Sequence, residues 1–390
     1  MGARRPSADA ARVPLRTVAA QWGRIGCTGF GGPPAHIALL RSLCVERRRW
    51  LGARDFEDAI AACNLLPGPA STQLSIFCAW RVAGMSGAIV GGLAFILPGL
   101  VLILGLAALF LAAAPPTWVL GAGVGAGAAV PAVAVFTGMQ LVGPSIARAT
   151  ARGRWMLYAL VGAAAAATVG PWLVIVLLAC GLAEVALIAF GRADRLGAQV
   201  WPMLATTATA ATSGLVAIVW VAFKVGALSY GGGFVIVPLM QRDAVHHYHW
   251  MTNTQFLAAV ALGQVTPGPV VHTVAAVGYG AAGLGGGLLA ALVAFAPSFT
   301  FVLLGARHFD RLRHDARARA FLDGAGPAAI GAIVGVAIPL TLSFDEAWPF
   351  AVLLAAAVAL SLRRPVVLTI VGAGVVGAVA VSLLGASVPR

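Results

Sequence analysis

Charge is scarce in this sequence. Asp, Glu, Lys and Arg make up 10% of 390 residues, where a soluble domain carries roughly a quarter. That excludes a disordered chain and argues against a soluble enzyme. Lysine is almost missing: Lys and Arg total 26, and only Lys224 is a lysine. The formal charge of +13 sits in short segments between apolar runs. This is the positive-inside pattern of a membrane protein, not a basic stripe for phosphates, so nucleic acid is not expected as a partner. Paired cysteines are lacking too. Cys27, Cys44, Cys63, Cys78 and Cys180 are odd in number and show no CxxC spacing, and they read as small core residues. There is no HExxH, no Ser-His-Asp arrangement and no convincing dinucleotide or haem motif, and no glycine-rich stretch ends in GK[ST]. His246, His247 and His249 lack carboxylate or thiol company and read as a solvated loop. No catalytic residue, metal or cofactor is expected. The basic start, residues 1–16, has no apolar run behind it, so no cleaved signal peptide is expected.

Long apolar runs are what the sequence has. A helix needs about 20 apolar residues to cross the hydrocarbon core of a bilayer. Candidate segments are 56–80, 85–113, 118–142, 155–169, 172–190 and 204–222, then 256–280, 284–306, 321–342, 347–362 and 366–386. Nine to twelve crossings fit them.

The chain also repeats itself. A shift of 200 residues places Gly31-Gly32 on Gly231-Gly232, Trp50 on Trp250, Phe56 on Phe256 and Pro67-Gly68-Pro69 on Pro267-Gly268-Pro269. Arg24 falls on Lys224. With one residue dropped, Gly84 meets Gly283 and Pro98 meets Pro297. Two homologous halves are expected, 1–197 and 198–390. Their loops carry opposite charge bias: 41–54 is arginine-rich while 241–254 is nearly neutral, and 114–117 is uncharged while 307–319 holds five arginines. By the positive-inside rule the halves then lie in inverted orientation. The fold class expected is an all-α polytopic integral membrane protein whose two inverted halves have helices broken at Pro-Gly-Pro.

Proline disfavours helix at the preceding residue and lacks an amide proton. Each Pro-Gly-Pro should therefore break its segment, with Pro69 and Pro269 at the first helical position. The amides that follow then form a helix N-terminus, which attracts anions. Asn64, Ser71, Thr72, Gln73, Gln264, Thr266 and Thr273 stand beside the two breaks. One such break is as well explained by a packing kink; two symmetric copies favour a binding site for a small anion. Arg24 and Lys224 precede glycine-rich stretches that include Gly31, Gly32, Gly231 and Gly232, where backbone can approach a ligand but regular helix is not expected. A charge within an apolar run costs about 2.5–3.5 kcal/mol on insertion scales. Either these cations snorkel to an interface or they balance an anionic substrate. Glu184, Asp323, Asp55, Glu57 and Asp58 read mainly as partners of boundary arginines. His36 and His272 can titrate, but a lone histidine is usually an interior hydrogen-bonded residue.

At these residues the sequence resembles the chromate ion transporter family in its long, two-domain form. Phe30-Gly31-Gly32-Pro33-Pro34, Asn64-Leu65-Leu66-Pro67-Gly68-Pro69, Leu97-Pro98-Gly99, Tyr230-Gly231-Gly232-Gly233 and Gly263-Gln264-Val265-Thr266-Pro267-Gly268-Pro269 carry the likeness. Ala258 and His272 depart from the family pattern. The resemblance implies export of chromate, a tetrahedral dianion, from the bacterial cytoplasm across the inner membrane, driven by the proton motive force and giving chromate resistance. Its partners would be chromate or a related oxyanion, protons and the lipid bilayer, with a homodimer left open. Sulfate or another oxyanion is the alternative cargo.

Overall fold

The computed structural model describes residues 13–387 apart from 65, 67, 113, 150, 169–172, 192–213, 230–235 and 306–314. Pro67, Gly231 and Gly232, named above as site candidates, lie outside the described residues. So do Leu65, Tyr230, Gly233 and the first part of segment 204–222.

The described residues are helical, with no strand among them. The first half runs α1 (Leu15–Thr28), α2 (Pro33–Arg41, continued by a π-helical turn Ser42–Arg47), α3 (Ala53–Cys63), α4 (Ala70–Phe110), α5 (Thr117–Ile146), α6 (Arg152–Thr168) and α7 (Leu173–Gly191). The second runs α8 (Gly214–Leu228), α9 (Ile236–Gln241, continued by a π-helical turn Arg242–His247), α10 (Asn253–Val265) and α11 (Thr273–Gly305, after a 3₁₀ turn Val270–His272). It ends with α12 (Ala316–Gly335), α13 (Ala337–Leu342), α14 (Trp348–Ser361) and α15 (Val366–Leu384). Five stretches are long and apolar enough to cross a bilayer: Ala70–Phe110, Thr117–Ile146, Val270–Gly305, Ala316–Leu342 and Val366–Leu384. Their outward faces expose Val101, Leu292, Leu304, Leu342 and Leu383, as a lipid-facing surface does.

The repeat is visible in backbone detail. Both π-helical turns close with the same bonds, Arg48 N to Leu43 O at 3.0 Å and Tyr248 N to Asp243 O at 2.8 Å. Arg49 and His249 then both take φ 51°. The kink after the Pro-Gly-Pro helix also recurs, at Ala83-Gly84 (Gly84 φ 70°, ψ −157°) and Ala282-Gly283 (Gly283 φ 62°, ψ −153°). Only glycine enters that region without strain. The sequence placed one helix before each such glycine and another after it; the structure joins them into long kinked helices. α4 has 41 residues, which at about 1.5 Å per residue is twice the hydrocarbon thickness, and the kink divides it.

Small residues let the helices meet closely. Gly26 of α1 lies against the Phe95 carbonyl of α4, and Gly226 of α8 against the Ala294 carbonyl of α11. This contact keeps α1 helical to Thr28 and α8 to Leu228, through glycines expected to interrupt them. α4 and α11 pack on each other between these pairs. Around this centre the halves exchange helices. α6 and α7 of the first half pack on α12 of the second, while α14 and α15 of the second pack on α5 of the first. Gly162 on Ala328 and Gly125 on Ala373 mark the two seams.

Candidate functional site

The two Pro-Gly-Pro breaks occur where proline chemistry requires them. α3 ends at Cys63 and α4 begins at Ala70; α10 ends at Val265 and a 3₁₀ turn begins at Val270. Pro69 and Pro269 are N-caps, not first helical residues, because their ψ values of 101° and 133° are extended. The glycine between the prolines takes a left-handed φ in both, 113° at Gly68 and 97° at Gly268. In α4 the Thr72 and Gln73 amides donate to the Pro69 carbonyl, so those of Ala70 and Ser71 stand ahead of the first helical bond.

Each turn is seated in the other half. A Cβ on Gly68 would lie 2.8 Å from the Gln73 side-chain nitrogen, 3.2 Å from the Gly226 carbonyl and 3.4 Å from Ser298 Oγ. The Gly268 amide donates to the Gly29 carbonyl at 2.9 Å. A Cβ on Gly99 would collide with the Pro267 carbonyl and meet the His272 ring at 2.7 Å. Gly32, with φ 72°, faces Val270 beside the same turn. Gly29 and Gly99 correspond in the repeat to Ser229 and Ser298. The second-half turn is therefore gripped by glycines, whereas the first-half turn faces the Ser298 hydroxyl.

The Ser298 hydroxyl has no partner among the described residues. Among the described residues, Thr72 Oγ1, Ser75 Oγ, Ser229 Oγ, Ser298 Oγ and Gln264 Nε2 are buried without a hydrogen bond. His272 is fully buried beside the Ile96 carbonyl, yet neither ring nitrogen makes a well-formed hydrogen bond. Buried polar groups in proteins are nearly always satisfied, and each orphan costs about 1–3 kcal/mol. Thr72 and Gln264 stand in sequence beside the two interlocked helix breaks, and Ser298 faces the first of them. Thr273 and Thr266 are accounted for locally, bonding the Val270 and Gly263 carbonyls at 2.8 and 3.5 Å. Ser71 bonds His36. Gln73 is buried against Gly68, whereas Asn64, at the end of α3, is exposed.

The cations stand apart from the orphaned cluster. Lys224 forms an ion pair with Asp243, with both side chains mostly buried, and its ammonium lies 5.5 Å from the Trp220 ring centre. Arg24 is exposed on α1, and the position matching Asp243 in its half is Leu43. The boundary carboxylates pair with arginines: Glu57 with Arg41 at 3.3 Å, Asp55 with Arg81 at 3.4 Å and Glu184 with Arg154 at 2.7 Å. Ala258 replaces the acid of Asp58 because α10 lies flat on α5, with the Ala258 side chain against Gly123. No group of three metal-ligating side chains occurs among the described residues. Elsewhere, a cleft of about 530 Å³ is lined by Thr168, Gln241, Arg242, His246, Asn253 and Ser343, among others.

The sequence reading missed Gly29, Gly99, Ser229, Ser298 and Asp243. The repeat held the signal for the serines, since they replace glycines in otherwise matching segments.

The chain is similar to known proteins over most of its length. The sequence profile of a family described as chromate transporter matches residues 16–185 and 216–378, so it occurs twice, once in each half. A chromate transport protein of Cupriavidus metallidurans is 34% identical over 388 residues, covering 95% of this chain and 94% of the relative. A chromate transport protein of Pseudomonas aeruginosa is 30% identical over 390 residues, covering 92% and 90%. A probable chromate transport protein of Synechococcus elongatus is 30% identical over 328 residues, covering 81% and 82%. No solved structure matches.

Proposed function

We propose, on the premise that this chain belongs to the chromate transporter family and is a multi-pass inner-membrane transporter and not an enzyme, that it exports chromate from the cytoplasm. The observation that carries this reading is the pair of unpartnered buried hydroxyls, Thr72 and Ser298, at the first-half Pro-Gly-Pro turn and the N-terminus of α4. A tetrahedral oxyanion has acceptors in four directions. Ser298, Ser229 and Thr72, with the Ala70 and Ser71 amides, are donors of the kind it needs. Glycines at 31, 32, 68 and 268 let backbone approach it. Asn64, Gln73, Gln264, Thr266 and Thr273 line the approaches, and the turn prolines Pro69, Pro267 and Pro269 hold the breaks open. Gly231 and Gly232 match Gly31 and Gly32 in the repeat and lie outside the described residues.

Direction follows from electrostatics. Moving one charge through 100 mV is worth about 2.3 kcal/mol, so a dianion leaving a negative interior gains about 4.6 kcal/mol. That supports a gradient of more than a thousandfold, at 1.4 kcal/mol per decade. The electrical part of the proton motive force thus suffices for export and for resistance. The opposite charge bias of loops 41–54 and 241–254 supports inverted halves, each turn reaching the midplane from its own side.

Flux into inside-out vesicles tests the reading. Potential-driven chromate uptake that resists excess sulfate is the expected result. Sulfate flux with little chromate flux would overturn the cargo. Cysteines placed in 41–54 and 241–254 should label from opposite faces; labelling from one face would refute the inversion.

A further inference from the structure

A cavity of about 320 Å³ lies away from the helix breaks, between α14 and α15. Ala355, Ala356 and Ala359 of α14 and Thr369, Gly372 and Ala373 of α15 line it. The Thr369 hydroxyl donates to the Pro365 carbonyl at 3.1 Å, so it is already spent and the lining is apolar. Leu368 and Val376 form the α15 side, and both are more than half exposed. The cavity is therefore a groove in the outer surface of the hairpin. From residue 368 to 376 it runs about 12 Å, at 1.5 Å per residue.

One end of the groove is charged. Arg364 lines it there, and Arg363 precedes it in the turn between the two helices. Both side chains are exposed. Neither forms an ion pair among the described residues. The nearest carboxylates in sequence, Asp345 and Glu346, precede α14 and so stand at its other end. The backbone of the turn is fixed. The Arg363 amide donates to the Leu360 carbonyl at 2.9 Å and the Arg364 amide to the Ala359 carbonyl at 3.0 Å. α14 has 14 residues, a rise of about 21 Å against a hydrocarbon core of about 30 Å. Its basic end thus lies within reach of the headgroup layer. By the positive-inside rule that end faces the cytoplasm, where the leaflet is rich in anionic lipid.

We propose that this groove binds one anionic phospholipid, with its phosphate on Arg363 and Arg364 and one acyl chain along the apolar lining. Arginine is suited to phosphate because its planar fork donates two parallel hydrogen bonds. Two arginines beside the headgroup favour an anionic lipid over a zwitterionic one by about thirtyfold. The lipid also has a structural part. Ala373 lines the groove, and its carbonyl meets Gly125 of α5. A chain lying there covers the seam where the second-half hairpin packs on the first half, and it stabilises the fold by mass action. The site is independent of the transported ion.

Native mass spectrometry of the full chain in detergent, with phosphatidylglycerol or phosphatidylcholine added, tests the proposal. Wild type should retain one phosphatidylglycerol at a concentration about thirtyfold below that needed for phosphatidylcholine, and should melt at a higher temperature with it. Arg363→Gln with Arg364→Gln should lose the preference between the two lipids. Gly372→Leu should retain neither. A Cβ at 372 meets nothing within 4 Å, so the larger side chain fills the groove without disturbing the packing. Both variants should melt like wild type in lipid-free detergent. Phosphatidylglycerol held as tightly by the variants as by wild type would overturn the proposal, as would equal retention of the two lipids by wild type. Glycerol phosphate bound as tightly as the lipid would overturn it by making this a headgroup site without a chain. A wild-type dimer that Gly372→Leu abolishes would overturn it and assign the groove to contact between copies.

Discussion

The Gly29 carbonyl accepts the Gly268 amide and the His36 Nε2 hydrogen, each at 2.9 Å. One oxygen at the end of α1 thereby ties the second-half turn to α2, and through Ser71 to the start of α4. His36→Ala should remove this tie and leave the Ser71 hydroxyl buried without its acceptor, lowering stability by about 1–3 kcal/mol. His36→Gln should recover part of it. Thermal melts of both variants in one detergent check the order; equal melting temperatures would remove His36 from the tie.

Ser298 should separate stability from transport. Its hydroxyl is buried and unpartnered, so Ser298→Ala removes an unsatisfied group and leaves the fold as stable or more so. Chromate flux should nevertheless fall severalfold. A variant that is stabler and fully active would show that the hydroxyl has no ligand.

Gly99→Ala should do the opposite. Its new methyl group meets the Pro267 carbonyl and the His272 ring, and overpacking of this kind costs typically about 1–3 kcal/mol. The second-half turn must shift, so both melting temperature and flux should drop. An unperturbed melt would mean that α4 can move away from that turn.

Lys224→Met alone leaves the Asp243 carboxylate buried without a partner, a loss of about 3–5 kcal/mol for a fully buried pair. Lys224→Met with Asp243→Leu, which puts the residue of position 43 at its counterpart, should recover most of the fold. Flux in the folded double variant decides what the lysine does: recovery assigns the pair to structure, and continued failure assigns Lys224 to transport.

Arg24→Ala touches an exposed side chain, where substitutions usually change stability by no more than about 0.5 kcal/mol. Export should fall severalfold at an unchanged melting temperature. Unchanged export would confine Arg24 to the membrane interface.

Much of the frame was legible in the sequence. Pro67-Gly68-Pro69 and its copy marked the helix breaks, because a proline leaves few backbone choices at itself and its neighbour. The repeat foretold that Gly84 and Gly283 would match, and they kink alike. What could not be read was tertiary partnership. Nothing local says that Lys224 meets Asp243, nineteen residues on, or that Gly268 meets Gly29 across most of the chain. Nor does anything local say that α6 would choose α12 of the other half. Helix α1 running through Gly26 was misjudged for the same reason: a tertiary contact outweighed local propensity.

The exchange of helices also sets a timetable for biosynthesis. α6 is complete at Thr168, but its partner surface on α12 ends at Gly335. At about 5–20 residues per second, roughly ten to thirty seconds of translation separate them. During that interval the nascent first half holds glycine faces with nothing to cover them. A ribosome stalled between the two would leave a product that the membrane quality-control proteases should treat as an orphan.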